Sequence, residues 1–193
     1  MNTSSHLLIN ATLRKHGSVR YPIPQSACLL GAVLPDIPLT VLWIGAYLYE
    51  RYARGNGAIS LMDPMFDQLY FSHPFWITAY NLLHAPLIVI TAMLLLRHSR
   101  MLPDSRGNWW FWCMAGCLVH TMLDIPTHST DGPLLLFPLE WSIRFHSPIS
   151  YWDPHYHGRV FRIFEGLLNA ILLLYLLGPV IWRWRQRRSG ISL

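Results

Sequence analysis

Gly31-Ala32-Val33-Leu34-Pro35-Asp36-Ile37-Pro38 lies inside an apolar segment that runs from Ala27 to Tyr49. As a helix, a segment of that length crosses about 30 Å of hydrocarbon. An ionisable residue there is costly and is kept where it has a function and a partner. The prolines flanking Asp36 predict a broken helix, because each lacks an N–H to donate. Broken backbone in an apolar setting is tolerated where it faces protein or a water-filled cavity. Asp36 also suits the cap of a helix starting at Ile37, with Pro38 in its first turn. The two roles are compatible.

Three more apolar segments follow. Pro74 to Leu96 has His84 near its centre, in Tyr80-Asn81-Leu82-Leu83-His84-Ala85-Pro86. Trp109 to Leu123 is short for a span and needs tilted neighbours or local thinning of the bilayer. Gly166 to Trp182 is opened by Glu165 and closed by Arg183, Arg185, Arg187 and Arg188, with Trp182 and Trp184 as interface anchors. Residues 1–27 read as a short amphipathic helix and a proline-punctuated loop. Residues 50–73 read as a polar connection, and residues 124–164 are the longest polar region. The expected fold is all-α: one membrane-embedded domain over residues 1–193, a polytopic bundle of about four apolar helices plus a short N-terminal helix. A polar, site-bearing region covers about 124–165.

Composition agrees. Hydrophobic residues make up 52% of the 193 residues and charged residues only 13%, about half the usual charged share. The net charge of +5 comes from Arg and Lys at the ends of apolar segments and not from a stripe, so membrane orientation explains it better than nucleic acid. Counted by alternating loops, ten of these residues fall on one side and five on the other. The positive-inside rule then places both termini in the cytoplasm, with the inner membrane of a bacterium as the expected location. This arrangement puts His6 on the inner side and Asp124 and His128 near the outer one. Cys28, Cys113 and Cys117 lie in apolar surroundings and form no zinc pattern.

The chemistry concentrates in Cys117-Leu118-Val119-His120-Thr121-Met122-Leu123-Asp124-Ile125-Pro126-Thr127-His128. His120 and Asp124 share a helix face about 6 Å apart, within reach of one ion. Pro126 ends or bends that helix, which frees His128 to fold back. The metal-ligand candidates are His6, Asp36, His84, His120, Asp124, His128 and Glu165. A mixed imidazole and carboxylate set suits Zn²⁺, and also Mn²⁺ or Fe²⁺, with one to two ions expected. Asp36, Asp124 and His128 are the catalytic candidates. A metal-activated water then serves as nucleophile on a phosphoester. The chain has no G-x-S-x-G elbow, P-loop or G-x-G-x-x-G motif.

These elements resemble the membrane-bound metal-dependent hydrolases related to zinc-dependent phospholipase C. The resemblance rests on His6-Leu7-Leu8, Leu34-Pro35-Asp36, Tyr80-Asn81-Leu82-Leu83-His84, His120-Thr121-Met122-Leu123-Asp124 with Thr127-His128, and Leu136-Phe137-Pro138. In the family's order, they cover residues 6 to 138. The resemblance implies an all-helical fold, a zinc site made by these His and Asp residues, and hydrolysis of phosphoesters such as phospholipids. Departures are Ala85, where members often carry Ser, and the lack of a fuller His-Arg-Gly-x-x-His element after His84. His157 and Glu165 are also at the wrong spacing for one helical face.

A membrane lipid is the expected environment and substrate partner. Two rival classes are a metal-binding or transport protein without hydrolytic chemistry, and an assembly protein whose polar residues only hydrogen-bond between helices. In the polar region, Arg144, Arg159 and Arg162 among Trp141, Phe145, Tyr151, Trp152 and Tyr156 read either as a phosphate-binding headgroup site or as an interfacial belt with snorkelling arginines.

Overall fold

Two proline breaks set the path of the chain. The computed structural model describes residues 1–53, 55, 64–98 and 104–188. The first apolar segment forms α2 (Gln25–Val33) and α3 (Asp36–Leu48), which a break at Leu34-Pro35 bends by 45°. The second forms α5 (Pro74–His84) and α6 (Pro86–His98), bent by 51°. The apolar segment at 74–96 thus forms two helices that meet beside His84. Pro86 forces Ala85 out of the helical region, to φ −71 and ψ 120, as a residue preceding proline prefers.

The other helices are α1 (Thr3–Gly17), α4 (Pro64–Ser72), α7 (Asp104–Asp124) and α8 (Gly158–Arg188). Helix α4 lies within the stretch read as a polar connection, and a π-helical turn at Tyr49–Ala53 ends α3. No strand forms among the described residues; the 124–157 region has one isolated bridge, Leu134 to Arg144. The all-α expectation holds.

Helices α2 and α7 cross where Gly31 meets Gly116. A Cβ on Gly31 would stand 2.1 Å from the Cys113 carbonyl, and one on Gly116 2.8 Å from that of Cys28. Only glycine allows backbones this close. Ala27, Cys113, Cys117 and Met114 fill the seam, and Val89 of α6 completes this apolar core. The thiols are thus packing groups. Helix α1 runs beside α8 through polar tethers. Asn169 Nδ2 donates to Ser5 Oγ at 2.9 Å and Lys15 Nζ to the Tyr175 carbonyl at 3.1 Å.

Among the described residues, Gly158–Gln186 of α8 is the one helix long and apolar enough to cross a membrane, and almost none of it is buried in the protein. If each bent pair counts as one broken span, the number rises to three. Helix α7, from the third apolar segment expected, is not among these. It begins with Asp104 and Arg106 and ends with His120 and Asp124, which dilute its apolar centre. The two ends of the chain also separate. Met1 lies beside Asp124, and α8 carries Arg188 away from that end of the bundle.

Candidate metal centre

Both proline breaks and the end of α7 meet at one point. Asp36 opens α3, His84 closes α5, and His120 and Asp124 occupy the last two turns of α7. One ligand atom from each of these four lies within 4.8 Å of the others. His120 Nε2 stands 3.0 Å from Asp124 Oδ2 and 3.4 Å from Asp36 Oδ1. His84 Nε2 stands 3.6 and 3.5 Å from the same two oxygens.

Local structure fixes the ring orientations. His84 Nδ1 hydrogen-bonds the Tyr80 carbonyl at 3.1 Å, and His120 Nδ1 the Ala32 carbonyl at 2.8 Å. A carbonyl only accepts, so each Nδ1 carries a proton, and each ring turns its Nε2 inward toward the two carboxylates. Metal-binding histidines are commonly held this way. Tyr80 also stacks on the His84 ring, with centroids 4.2 Å apart. Asn81 ties α5 to the polar region by accepting from Leu134 N–H at 2.8 Å. Ala85 packs in a small core with Leu134 and Phe137, which gives the Tyr80–Ala85 and Leu136–Pro138 elements a shared structural role.

The other oxygen of Asp124 faces a second group. Oδ1 lies 2.7 Å from the Met1 amino nitrogen and 2.9 Å from His6 Nε2. His6 is fully buried and stacks on His120, with centroids 3.7 Å apart. Neither of its ring nitrogens has a hydrogen bond of good geometry. His128 Nδ1 donates to the Asp124 carbonyl at 2.9 Å and lies 3.8 Å from Oδ1. Burial holds the His128 imidazole below its ordinary pKa, in the neutral form a ligand or acceptor needs.

No family model, curated protein or solved structure matches the chain.

Asp36, His84, His120 and Asp124 thus form the cluster, with His6 and His128 against Asp124. Glu165 stands apart. Its carboxylate accepts from Asn2 N–H at 2.8 Å, Asn2 Nδ2 at 2.6 Å and Ser5 Oγ at 2.7 Å. Those bonds hold the start of α1, and Glu165 lies outside the four-residue cluster. His157 is exposed, at the left-handed turn before α8. Sequence reading missed Thr3, whose hydroxyl donates to Asp36 Oδ2, and Thr127, which accepts from the Met1 amino group at 3.1 Å. Neither has a spacing signal.

The donor set fits a divalent cation. Two Nε2 atoms 3.2 Å apart and two carboxylates around them concentrate lone pairs and negative charge in a buried space. Burial of such groups is costly unless a cation or protons compensate them. The buried His6 ring, 2.9 Å from Asp124 Oδ1 but without a well-formed hydrogen bond, adds a further nitrogen beside the cluster.

A cavity of about 460 Å³ opens onto Asp36, Asp124 and His128. Its outer wall includes Tyr70, Tyr151, Trp152, Asp67 and Asp131. Burial raises the phenol pKa of Tyr70 and Tyr151, so both stay neutral. Tyr70 donates to the Asp131 carbonyl at 2.6 Å, and Trp152 Nε1 to Asp131 Oδ2 at 2.8 Å. Arg144 instead donates to the Gly132 carbonyl and lies over the Tyr70 ring, 5.6 Å from its centroid. Among the described residues, no arginine lines this cavity.

Proposed function

We propose that this chain is an integral membrane, metal-dependent hydrolase of a phosphoester, with a lipid as substrate. The polytopic reading takes α8 as one span and the two bent pairs as two more. Their breaks lie beside the cluster, where non-helical backbone faces protein and a cavity, as such breaks require. The observation that carries the functional reading is the placement of a four-residue His and Asp cluster at the floor of a cavity closed behind it. On that closed side, the Ala32 carbonyl binds His120 and the apolar seam of Ala27, Cys113, Cys117 and Val89 begins. A one-ended site favours chemistry over passage, which needs ligands along a path open at both ends.

Bound zinc, or manganese or iron in its place, would supply an activated water and neutralise charge on the phosphoryl group. His84, His120 and Asp124 would hold it, and the side chain of Asp36, 27% exposed, faces the cavity. Asp36 is thereby placed to accept the proton of an attacking water, with Thr3 fixing its second oxygen. The proton that Asp36 takes from the water is then available to the departing oxygen, and His128, with its Nδ1–H held by the Asp124 carbonyl, presents Nε2 as an acceptor on the cavity wall. Tyr80 keeps His84 from rotating and excludes water from its apolar side.

The test is hydrolysis by detergent-purified protein loaded with zinc, assayed on phospholipid and on soluble phosphomonoesters beside Asp36→Asn. Turnover that needs zinc and falls at least 100-fold in Asp36→Asn supports the reading. Zinc binding without turnover of either class leaves the metal-binding reading in its place.

A further inference from the structure

The helix ends that lead away from the cluster on its closed side are basic. Helix α1 ends with Arg14 and Lys15, α6 with Arg97, and α8 with Arg183, Arg185 and Arg188. The fold gathers these ends. Lys15 lies over the Tyr175 ring at 4.0 Å. Trp109 Nε1, near the start of α7, donates to Ser26 Oγ near the start of α2 at 3.0 Å. The cluster belongs to the opposite end, where α1 begins and α2 and α7 finish. Glu165 marks that level on α8 through its bonds to Asn2 and Ser5. From Glu165 to Arg183 the helix rises roughly 27 Å at 1.5 Å per residue. That is close to the roughly 30 Å thickness of a bilayer's hydrocarbon.

The cavity extends from the cluster away from the basic ends, between Leu39 and Thr40 of α3 and Tyr70 and Phe71 of α4. Helix α3 buries none of its residues. While Leu39 and Thr40 face the cavity, Val41, Ile44 and Leu48 are exposed. In a bilayer that outer face meets acyl chains, so the cavity is flanked by lipid. Basic flanks stay on the cytoplasmic side. We infer that the cavity opens toward the non-cytoplasmic face and takes a lipid headgroup from that leaflet. The inference rests on the membrane reading above and does not need turnover.

Single cysteines report the face directly, since Cys28, Cys113 and Cys117 are buried. Thr130 is an exposed residue of the cavity wall, and Val19, 90% exposed, lies at the basic end. With a membrane-impermeant maleimide, Thr130→Cys is expected to label in intact spheroplasts and Val19→Cys only in inverted vesicles. The reverse pattern, or labelling of both from one face, overturns the inference. In detergent, zinc-loaded Thr130→Cys is expected to label at least fivefold more slowly with dihexanoyl phosphatidylglycerol than with glycerol 3-phosphate at equal concentration. Equal protection by glycerol 3-phosphate overturns the lipid source. Neither readout involves hydrolysis, so a protein that turns over nothing still reports the face and the ligand.

Discussion

His84 Nε2 and His120 Nε2 lie 3.2 Å apart, and each ring is held by a hydrogen bond from Nδ1 to a main-chain carbonyl. The carbonyls belong to Tyr80, one turn before His84, and to Ala32, on the neighbouring helix α2. One ring is therefore fixed by its own helix and the other by a helix crossing. Both imidazoles converge because α2 and α7 touch at glycine, and α5 stops at His84.

That convergence predicts a stoichiometric metal. Purified protein is expected to hold at least one equivalent of zinc or manganese by elemental analysis, and Asp124→Ala or His120→Ala to hold none while remaining folded by circular dichroism. Affinity should fall as pH drops, because protons compete with the metal for the imidazole lone pairs. A full metal complement in either variant would remove these residues from the site.

The glycine crossing gives a second prediction. In Gly31→Ala the new methyl meets the Cys113 carbonyl at 2.1 Å and Gly116 Cα at 2.9 Å. Backbone cannot yield as a flexible side chain would, so α2 must move off α7. Overpacking of this kind costs about 1–3 kcal/mol, and the shift carries the Ala32 carbonyl and Asp36 with it. Thermal unfolding in detergent should show a lower midpoint, with weaker zinc binding. Gly45→Ala meets nothing within 4 Å and serves as the control. Equal behaviour of the two variants would mean the crossing does not position the site.

Much of this arrangement was legible in the sequence because it depends on local rules. Pro35 beside Asp36, and the i, i+4 spacing of His120 and Asp124, specify a break and a shared face without knowledge of the fold. What the sequence could not show was which end of each segment meets which. His6 and Asp124 looked as if they lay on opposite sides when loops were counted, yet stand 2.9 Å apart. Helix α1 starts at the cluster and carries Arg14 and Lys15 to the far end, so its charge reports its finish and not its start. Glu165 shows the opposite failure. A lone carboxylate opening an apolar segment reads like a ligand, and only the tertiary contact with Asn2 and Ser5 reveals a helix cap.

The cap leads to a third prediction. Glu165→Gln keeps an acceptor for the Asn2 N–H and should retain the full metal complement. Glu165→Ala strands the buried Ser5 hydroxyl and frees Asn2 at the start of α1, a loss of about 1–3 kcal/mol for the buried group. The alanine variant should therefore unfold at a lower temperature, with α1 more open to proteolysis. Loss of metal in Glu165→Gln at unchanged thermal stability would return this residue to the ligand set.

The last prediction concerns α8, whose apolar surface has almost no cover inside the protein. Leu174 lies in the middle of the stretch from Gly158 to Gln186 and is 73% exposed. An arginine at the centre of a spanning helix costs about 2.5–3.5 kcal/mol on insertion scales. An alternative in which this face meets water carries no such penalty and would gain solubility from the charge. Wild-type protein is expected to stay in the membrane pellet after alkaline carbonate extraction, and Leu174→Arg to be retained less firmly, because α8 is the one unbroken span among the described residues. Trp184→Arg, among the basic residues at the helix end, should remain in the pellet, because a charge at the interface keeps its water. Extraction of the wild type, or a Leu174→Arg variant retained as firmly as the wild type, would show that lipid does not cover this face.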